Sequence, residues 1–104
     1  MIVRVWSTAY TPGRIADFIA FAAERLQPFF RDQDGCLACF FTHDEQEWRT
    51  ITFWRDAVAV GAVKDSAVYA AILSDLVASG LLVGSQQVRK LKYAGGGLYG
   101  PLPS

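Results

Sequence analysis

The chain has 104 residues, ten basic and ten acidic side chains, and a formal net charge of zero. This length corresponds to one domain, and balanced charge without a lysine or arginine cluster argues against a nucleic acid or an anionic membrane as partner. No apolar run reaches the ~18–20 residues that span a bilayer, and the N-terminus lacks the pattern of a secretory signal, so we expect a cytoplasmic protein.

The first half of the chain predicts a strand followed by a long helix. Residues 1–8 alternate, with Ile2, Arg4, Trp6 and Thr8 on one face of the strand. A turn at residues 10–13 follows, with Thr11 as a candidate N-cap and Pro12 at the first helical position. Residues 14–32 have helical periodicity, and we expect Pro28 to kink this helix or to restart its last turn.

Residues 35–55 predict a β-hairpin, with strands at 36–43 and 48–55 and a polar turn at 44–47. In a regular hairpin His43 lies opposite Trp48, Phe41 opposite Thr50, and Cys39 opposite Thr52. One face of the return strand therefore carries two tryptophans and two threonines: Trp48, Thr50, Thr52 and Trp54.

The second half predicts two helices and a last strand. Asp56 caps a short helix over residues 57–63, and Asp65 or Ser66 caps a longer helix that runs to about residue 79 and carries Tyr69 on its apolar stripe. Residues 85–93 form a polar edge strand. The domain thus spans residues 1–94, and residues 95–104 form a tail rich in glycine and proline.

This order, β-α-β-β-α-β, predicts an α+β, ferredoxin-like fold with helices on one face of a four-stranded antiparallel sheet. In a monomer the other face would be polar. Here it is apolar, because Val3, Val5, Phe40, Ile51 and Phe53 all point to it. A sheet that is apolar on both faces needs a second cover, so we expect a homodimer that closes two sheets face to face.

Two cysteines, Cys36 and Cys39, are separated by two residues, and the chain has one histidine. This set is too small for a typical zinc site, and we expect no metal. In a regular strand the two cysteines point to opposite faces, which argues against a thioredoxin-like redox site. We interpret them as small, buried apolar residues.

Four short motifs, in this order and spacing, indicate a family. They are Pro12-Gly13 before an amphipathic helix, residues 33–37 (QDGCL), residues 52–56 (TFWRD) before an alanine-rich helix, and residues 66–69 (SAVY). With them the chain resembles the antibiotic biosynthesis monooxygenase-like family of the dimeric α/β-barrel superfamily. The resemblance implies a pocket between sheet and helices in each subunit. It also implies a relation to cofactor-independent oxygenases of aromatic polyketides and to haem-degrading enzymes.

The functional residues of both branches can be carried onto this chain. The haem-degrading branch uses an Asn, a Trp and a His, where this chain has Trp6, Val63 and Leu73, so we reject haem degradation. The quinone-forming oxygenases use an Asn and a Trp four residues apart, then a Tyr. Trp54 matches that Trp, whereas Thr50 and Val60 stand at the other two positions.

Two hypotheses therefore remain open. In the first, the protein is a monooxygenase without cofactor that acts on a small aromatic, polyketide-like molecule, with His43 as general base and Trp54 orienting the substrate. In the second, it is a non-catalytic ligand-binding or structural homodimer in which tryptophans fill the pocket. Arg4 is a further candidate only if a substrate anion pairs with it. The expected substrate-binding residues are Trp6, Trp48, Thr50, Thr52 and Tyr69.

Overall fold

The computed structural model describes residues 1–103 and contains four strands and a helical layer. The elements are β1 (Ile2–Tyr10), α1 (Ile15–Phe21), a π-helical turn (Ala22–Leu26), α2 (Gln27–Arg31), β2 (Cys36–His43), β3 (Glu47–Trp54), α3 (Ala57–Gly61), α4 (Ala67–Ala78) and β4 (Leu82–Lys92).

The four strands form one antiparallel sheet in the order β2-β3-β1-β4. This is the predicted ferredoxin-like arrangement. β3 and β1 are the central strands, and β2 and β4 are the edge strands. The hairpin register is also as predicted, since His43 pairs with Trp48, Phe41 with Thr50, and Cys39 with Thr52. Side chains alternate along β3, so Trp48, Thr50, Thr52 and Trp54 are buried under the helices.

The long first helix differs from the prediction at its start and contains an irregular turn in its middle. It begins at Ile15, and Thr11 does not cap it: its hydroxyl donates to the carbonyl of Gly80 at 2.6 Å. Pro28 lies in the first turn of α2, so the helix restarts there, which is one of the two predicted outcomes. A π-helical turn comes just before it, and this wider turn accommodates a ring that would otherwise clash with the carbonyl four residues earlier.

Both later helices have the predicted side-chain caps. An Asp56 carboxylate oxygen accepts from the amide of Ala59 at 2.9 Å, and the Ser66 hydroxyl accepts from the amide of Tyr69 at 3.1 Å. The bonded amide and the neighbouring Arg55 guanidinium hold the pKa of Asp56 below its ordinary value. The Ser66 cap fixes the start of α4 and thereby the position of Tyr69.

Two irregularities of the sheet were not predicted from the sequence. β4 begins at Leu82, three residues early, because a bulge with Gly84 at a φ of +73° lets it pair further along β1. A second register shift lies between Cys36 and Ala38 in β2. It corrects the expectation that the cysteines point to opposite faces, since Cys36 pairs with Trp54 and Cys39 with Thr52, both on the helix side.

Helices cover only one side of the sheet, and the main core lies between them and β1 and β3. The outer face pairs Val3 with Phe53 and Val5 with Ile51, and the rings of Phe40 and Phe53 meet edge to face at 6.1 Å. All five of these side chains stay partly exposed. No helix in residues 1–103 is long and apolar enough to cross a membrane.

Candidate functional site

The predicted site residues lie mostly together, on the helix side of the two central strands. Trp6 pairs with Thr50 and Thr8 with Trp48, so indoles and hydroxyls alternate across the sheet. Each of these side chains is at most 3 % exposed. The helices above them contribute a dense apolar layer, which contains Phe18, Ala22, Leu26, Phe30, Ile72 and Leu76.

Every indole in this layer donates to a side chain of the protein itself. Trp54 donates to the hydroxyl of Thr52 at 2.8 Å, and Trp48 donates to the hydroxyl of Thr50 at 3.0 Å. Trp6 donates to the amide oxygen of Gln86 on β4 at 3.0 Å. The donors expected to hold a substrate are therefore occupied, and their hydrogen bonds satisfy polar groups that burial would otherwise make costly.

Aromatic contacts from the helices fill the space beside these indoles. Phe18 stacks on Trp48 with 4.2 Å between ring centroids, and Phe30 meets Trp54 edge to face at 6.2 Å. Such pairs stabilise a core beyond the area that they bury. The layer around Trp48 and Trp54 is thus a packed core, and these two indoles line none of the five main surface pockets in residues 1–103.

His43 lies apart from Trp54. It is exposed at the hairpin end, where its ring stacks on Trp48 at 6.3 Å and Nδ1 lies 3.2 Å from the Asp44 carbonyl oxygen. Trp48 and Trp54 are six residues apart on β3, which at about 3.3 Å per residue is roughly 20 Å. The structure therefore does not bring His43 and Trp54 to one reacting centre.

Arg4 and Tyr69 form a separate polar pair between the sheet and α4. Arg4 is 6 % exposed, and its Nη2 donates to the Tyr69 hydroxyl at 3.3 Å. The guanidinium carbon also lies 5.5 Å from the centroid of the Tyr69 ring, which stacks on Phe29 at 5.3 Å. The predicted site residue Tyr69 thus belongs to this cluster and not to the tryptophan layer.

Both cysteines are free thiols packed against the core. Burial raises the pKa of Cys39 to about 12 and raises that of Cys36 as well. A thiol with so high a pKa is neutral near pH 7 and a poor nucleophile or metal ligand. Within the part of the chain that is described, no group of three or more histidine, cysteine, aspartate or glutamate side chains could hold a metal ion.

Sequence reasoning missed Gln86 as the partner of Trp6. The predicted strand at residues 85–93 contains Gln86, but a polar edge strand is expected to face solvent. A signal existed, because a buried indole on β1 needs an acceptor and the neighbouring strand offers amides. The bulge at Gly84 decides which of them faces Trp6, and that could not be derived from the sequence.

A family model described as antibiotic biosynthesis monooxygenase matches residues 1–74. The chain belongs to this family. Its fold is accordingly the dimeric α/β-barrel type of ferredoxin-like fold, as predicted. No curated protein sequence matches the chain significantly.

Solved structures from several bacteria share the fold. A protein of unknown function from Nitrosomonas europaea has a TM-score of 0.75 at 19 % identity, with 96 % of this chain and 95 % of that chain covered. A variant of SnoaB, a cofactor-independent oxygenase from Streptomyces nogalater, has a TM-score of 0.73 at 17 % identity, with 91 % and 95 % covered. Rv0793 from Mycobacterium tuberculosis has a TM-score of 0.72 at 16 % identity, with 91 % and 96 % covered. At these identities the likeness concerns the fold alone.

Proposed function

We propose that this chain is a small-molecule-binding homodimer of the antibiotic biosynthesis monooxygenase family. Its subunits would join through the outer face of the sheet, and an aromatic ligand would bind on the helix side. We propose further that the tryptophan layer is structural and that the dimer is not an oxygenase. The main observation that supports this is that both indoles already have acceptors in a packed layer: Trp48 donates to Thr50, and Trp54 donates to Thr52.

The outer face supports the assembly. Val3, Val5, Phe40, Ile51 and Phe53 form a continuous apolar surface that no helix covers. Contiguous apolar surface of this kind in a small domain favours association, and a two-fold axis lets one patch cover itself. Members of this family are typically dimeric.

On the helix side, the edge next to β4 supports ligand binding. The central layer is filled, but β4 is exposed from Val83 to Lys92, and the Arg4–Tyr69 pair lies next to it. Arg4 is paired with Lys90 of that strand. An aromatic ligand would meet the Tyr69 and Phe29 rings there. We therefore propose this edge as the entrance, with Tyr69 as a binding residue.

The second candidate is a monooxygenase without cofactor, favoured by the family match and by the cofactor-independent oxygenase among the solved relatives. In that case Trp54, Thr50 and Thr52 would have to give up their mutual hydrogen bonds to hold a phenolic substrate, and His43 would act from a different site.

Oxygen uptake separates the two candidates. The chain would be incubated with three- and four-ring phenols, and uptake would be compared between the wild type, Trp54→Phe and His43→Ala. The binding proposal predicts no uptake above the buffer rate in any of them. Uptake by the wild type that falls at least tenfold in Trp54→Phe would establish the monooxygenase and overturn the non-catalytic proposal.

A further inference from the structure

Arg4 carries a charge that the protein does not neutralise. It lies on the helix side of β1 and is 6 % exposed. Among residues 1–103, every ion pair that forms uses another arginine: Arg14, Arg25, Arg31, Arg49 or Arg55. The Nη1 atom of Arg4 is buried and has no hydrogen-bond partner. Native proteins rarely leave a buried charge unpaired, because desolvation opposes the charged form and guanidinium does not lose its proton.

The contacts that Arg4 does make are weak for a buried cation. Its hydrogen bond to the neutral Tyr69 hydroxyl is 3.3 Å long, and its guanidinium carbon lies 5.5 Å from the centre of that ring. Neither contact supplies negative charge. A guanidinium has five N–H donors in a planar fork, which suits the two oxygens of a carboxylate.

A second cation lies directly across the sheet. Lys90 pairs with Arg4 in the antiparallel register of β1 and β4, so both side chains leave the same face of the sheet. Residues paired in this way have Cβ atoms about 4.5–5.5 Å apart, and like charges at such positions repel. Lys90 also lacks an ion pair in the described part of the chain, and it is exposed. One anion between the two would satisfy both.

The surroundings indicate what the rest of such an anion would be. Tyr69 stacks on Phe29 at 5.3 Å and lies 5.8 Å from Phe30, so the guanidinium borders a cluster of aromatic rings. On β4 the same side of the sheet offers Val88, which is opposite Trp6 and 48 % exposed. Apolar and aromatic surface beside a fixed cation is the usual composition of a site for a small organic anion.

We propose that Arg4 is an anion-binding residue that holds the carboxylate of a small aromatic acid, with Lys90 as a second cation and Tyr69 beside the ring. This proposal rests on the proposed binding function and names its ligand class. Because Nη1 is buried, binding requires the Arg4 side chain to move, and its long hydrogen bond from Nη2 to Tyr69 is the contact that would open. The carboxylate replaces the missing negative charge.

The test uses the full chain with 2-naphthoate and with 2-naphthol, which has the same rings but is neutral at pH 7. Affinities would be measured by calorimetry at constant ionic strength. We expect the wild type to bind naphthoate at least tenfold more tightly than naphthol. Arg4→Met should lose at least tenfold in naphthoate affinity, and Lys90→Met several-fold, because each removes one cation from the carboxylate. Arg31→Met, which removes an exposed arginine on α2, should leave the affinity unchanged.

The outcomes separate this proposal from the binding function. Equal binding of naphthol and naphthoate, or full naphthoate affinity in Arg4→Met, overturns the anion site and leaves ligand binding intact. Failure to bind either compound contradicts both. If Arg4→Met does not fold, Arg4→Lys keeps the charge but loses the planar fork, and it should still weaken naphthoate binding several-fold while naphthol binding stays the same.

Discussion

The hydrogen bond from Trp54 to Thr52 gives the sharpest prediction about the tryptophan layer. Thr52 is completely buried, and its hydroxyl accepts from the Trp54 indole at 2.8 Å while lying 3.5 Å from the carbonyl oxygen of Arg4. Thr52→Val keeps the shape of the side chain and removes the acceptor. The buried indole N–H is then unpaired, which costs about 1–3 kcal/mol of the free energy of unfolding.

A double-mutant cycle isolates this bond. Trp54→Phe removes the donor and part of a buried ring, and we expect it to cost about 2–4 kcal/mol. The double variant leaves no unpaired indole, so its cost should fall short of the sum of the two single costs by the same ~1–3 kcal/mol. Thr42→Val is the matched control: this threonine is exposed on the same hairpin, so we expect a change within about 0.5 kcal/mol.

The assay is urea denaturation followed by far-ultraviolet circular dichroism, at one protein concentration because dimer stability depends on it. A result that would refute the reasoning is unchanged or increased stability in both Thr52→Val and Trp54→Phe. Residues held for substrate rather than for structure often behave in that way, because active sites trade stability for function.

Two further predictions concern residues outside this layer. At pH 8, iodoacetamide should modify Cys39 roughly 1,000-fold more slowly in the folded chain than in urea, because burial raises its pKa to about 12 and leaves little thiolate; equal rates would contradict this. Gly35→Ala should cost at least about 2 kcal/mol on urea denaturation, since φ is +82° and the new Cβ would lie 2.5 Å from that of Ala59. Gly13→Ala, at a φ of +81° with open space around it, should cost only about 1 kcal/mol, and equal costs would show that the contact with Ala59 is irrelevant.

The sequence was sufficient for the fold because its signals are local and repetitive. Alternation along residues 48–54 determines which face each side chain takes, and the short polar turn fixes the register. Asp44 shows why this turn works: its carboxylate accepts from the amides of Gln46 and Glu47 at 2.8 Å each, which also holds its pKa below the ordinary value. The caps at Asp56 and Ser66 were equally visible in the sequence.

The irregular features required the structure. Bulges in β2 and β4 depend on how neighbouring strands compete for the same partners. No residue pattern predicts the β2 bulge, which places both cysteines on the helix side of the sheet. The π-helical turn before Pro28 is equally local: it accommodates the proline ring within the helix, and the helical periodicity of the sequence does not predict it.

The sequence predicted which residues lie in the candidate site, but not the hydrogen bonds that they form with one another. Residue alternation identified the buried tryptophans and threonines, whereas their mutual hydrogen bonds depend on side-chain rotamers. Trp54 and Thr52 are two residues apart on one face of β3, so a bond between them was a geometric option that the pattern alone could not select. The roles of His43 and Trp54 in catalysis stay predictions. The lack of a partner for Arg4 could not be predicted, because it depends on where every acidic residue lies in the fold, and a local sequence pattern does not give those positions.

The outer face of the sheet is the proposed dimer interface, and both the assembly and the placement of the binding edge depend on it. Size-exclusion chromatography with light scattering at micromolar concentration tests it directly, and we expect twice the chain mass of 11.4 kDa. Phe53→Glu, which adds a charge to that face, should give a monomer, whereas Val58→Glu, at an apolar position that is 84 % exposed on α3, should remain a dimer. A stable wild-type monomer at this concentration would contradict the account.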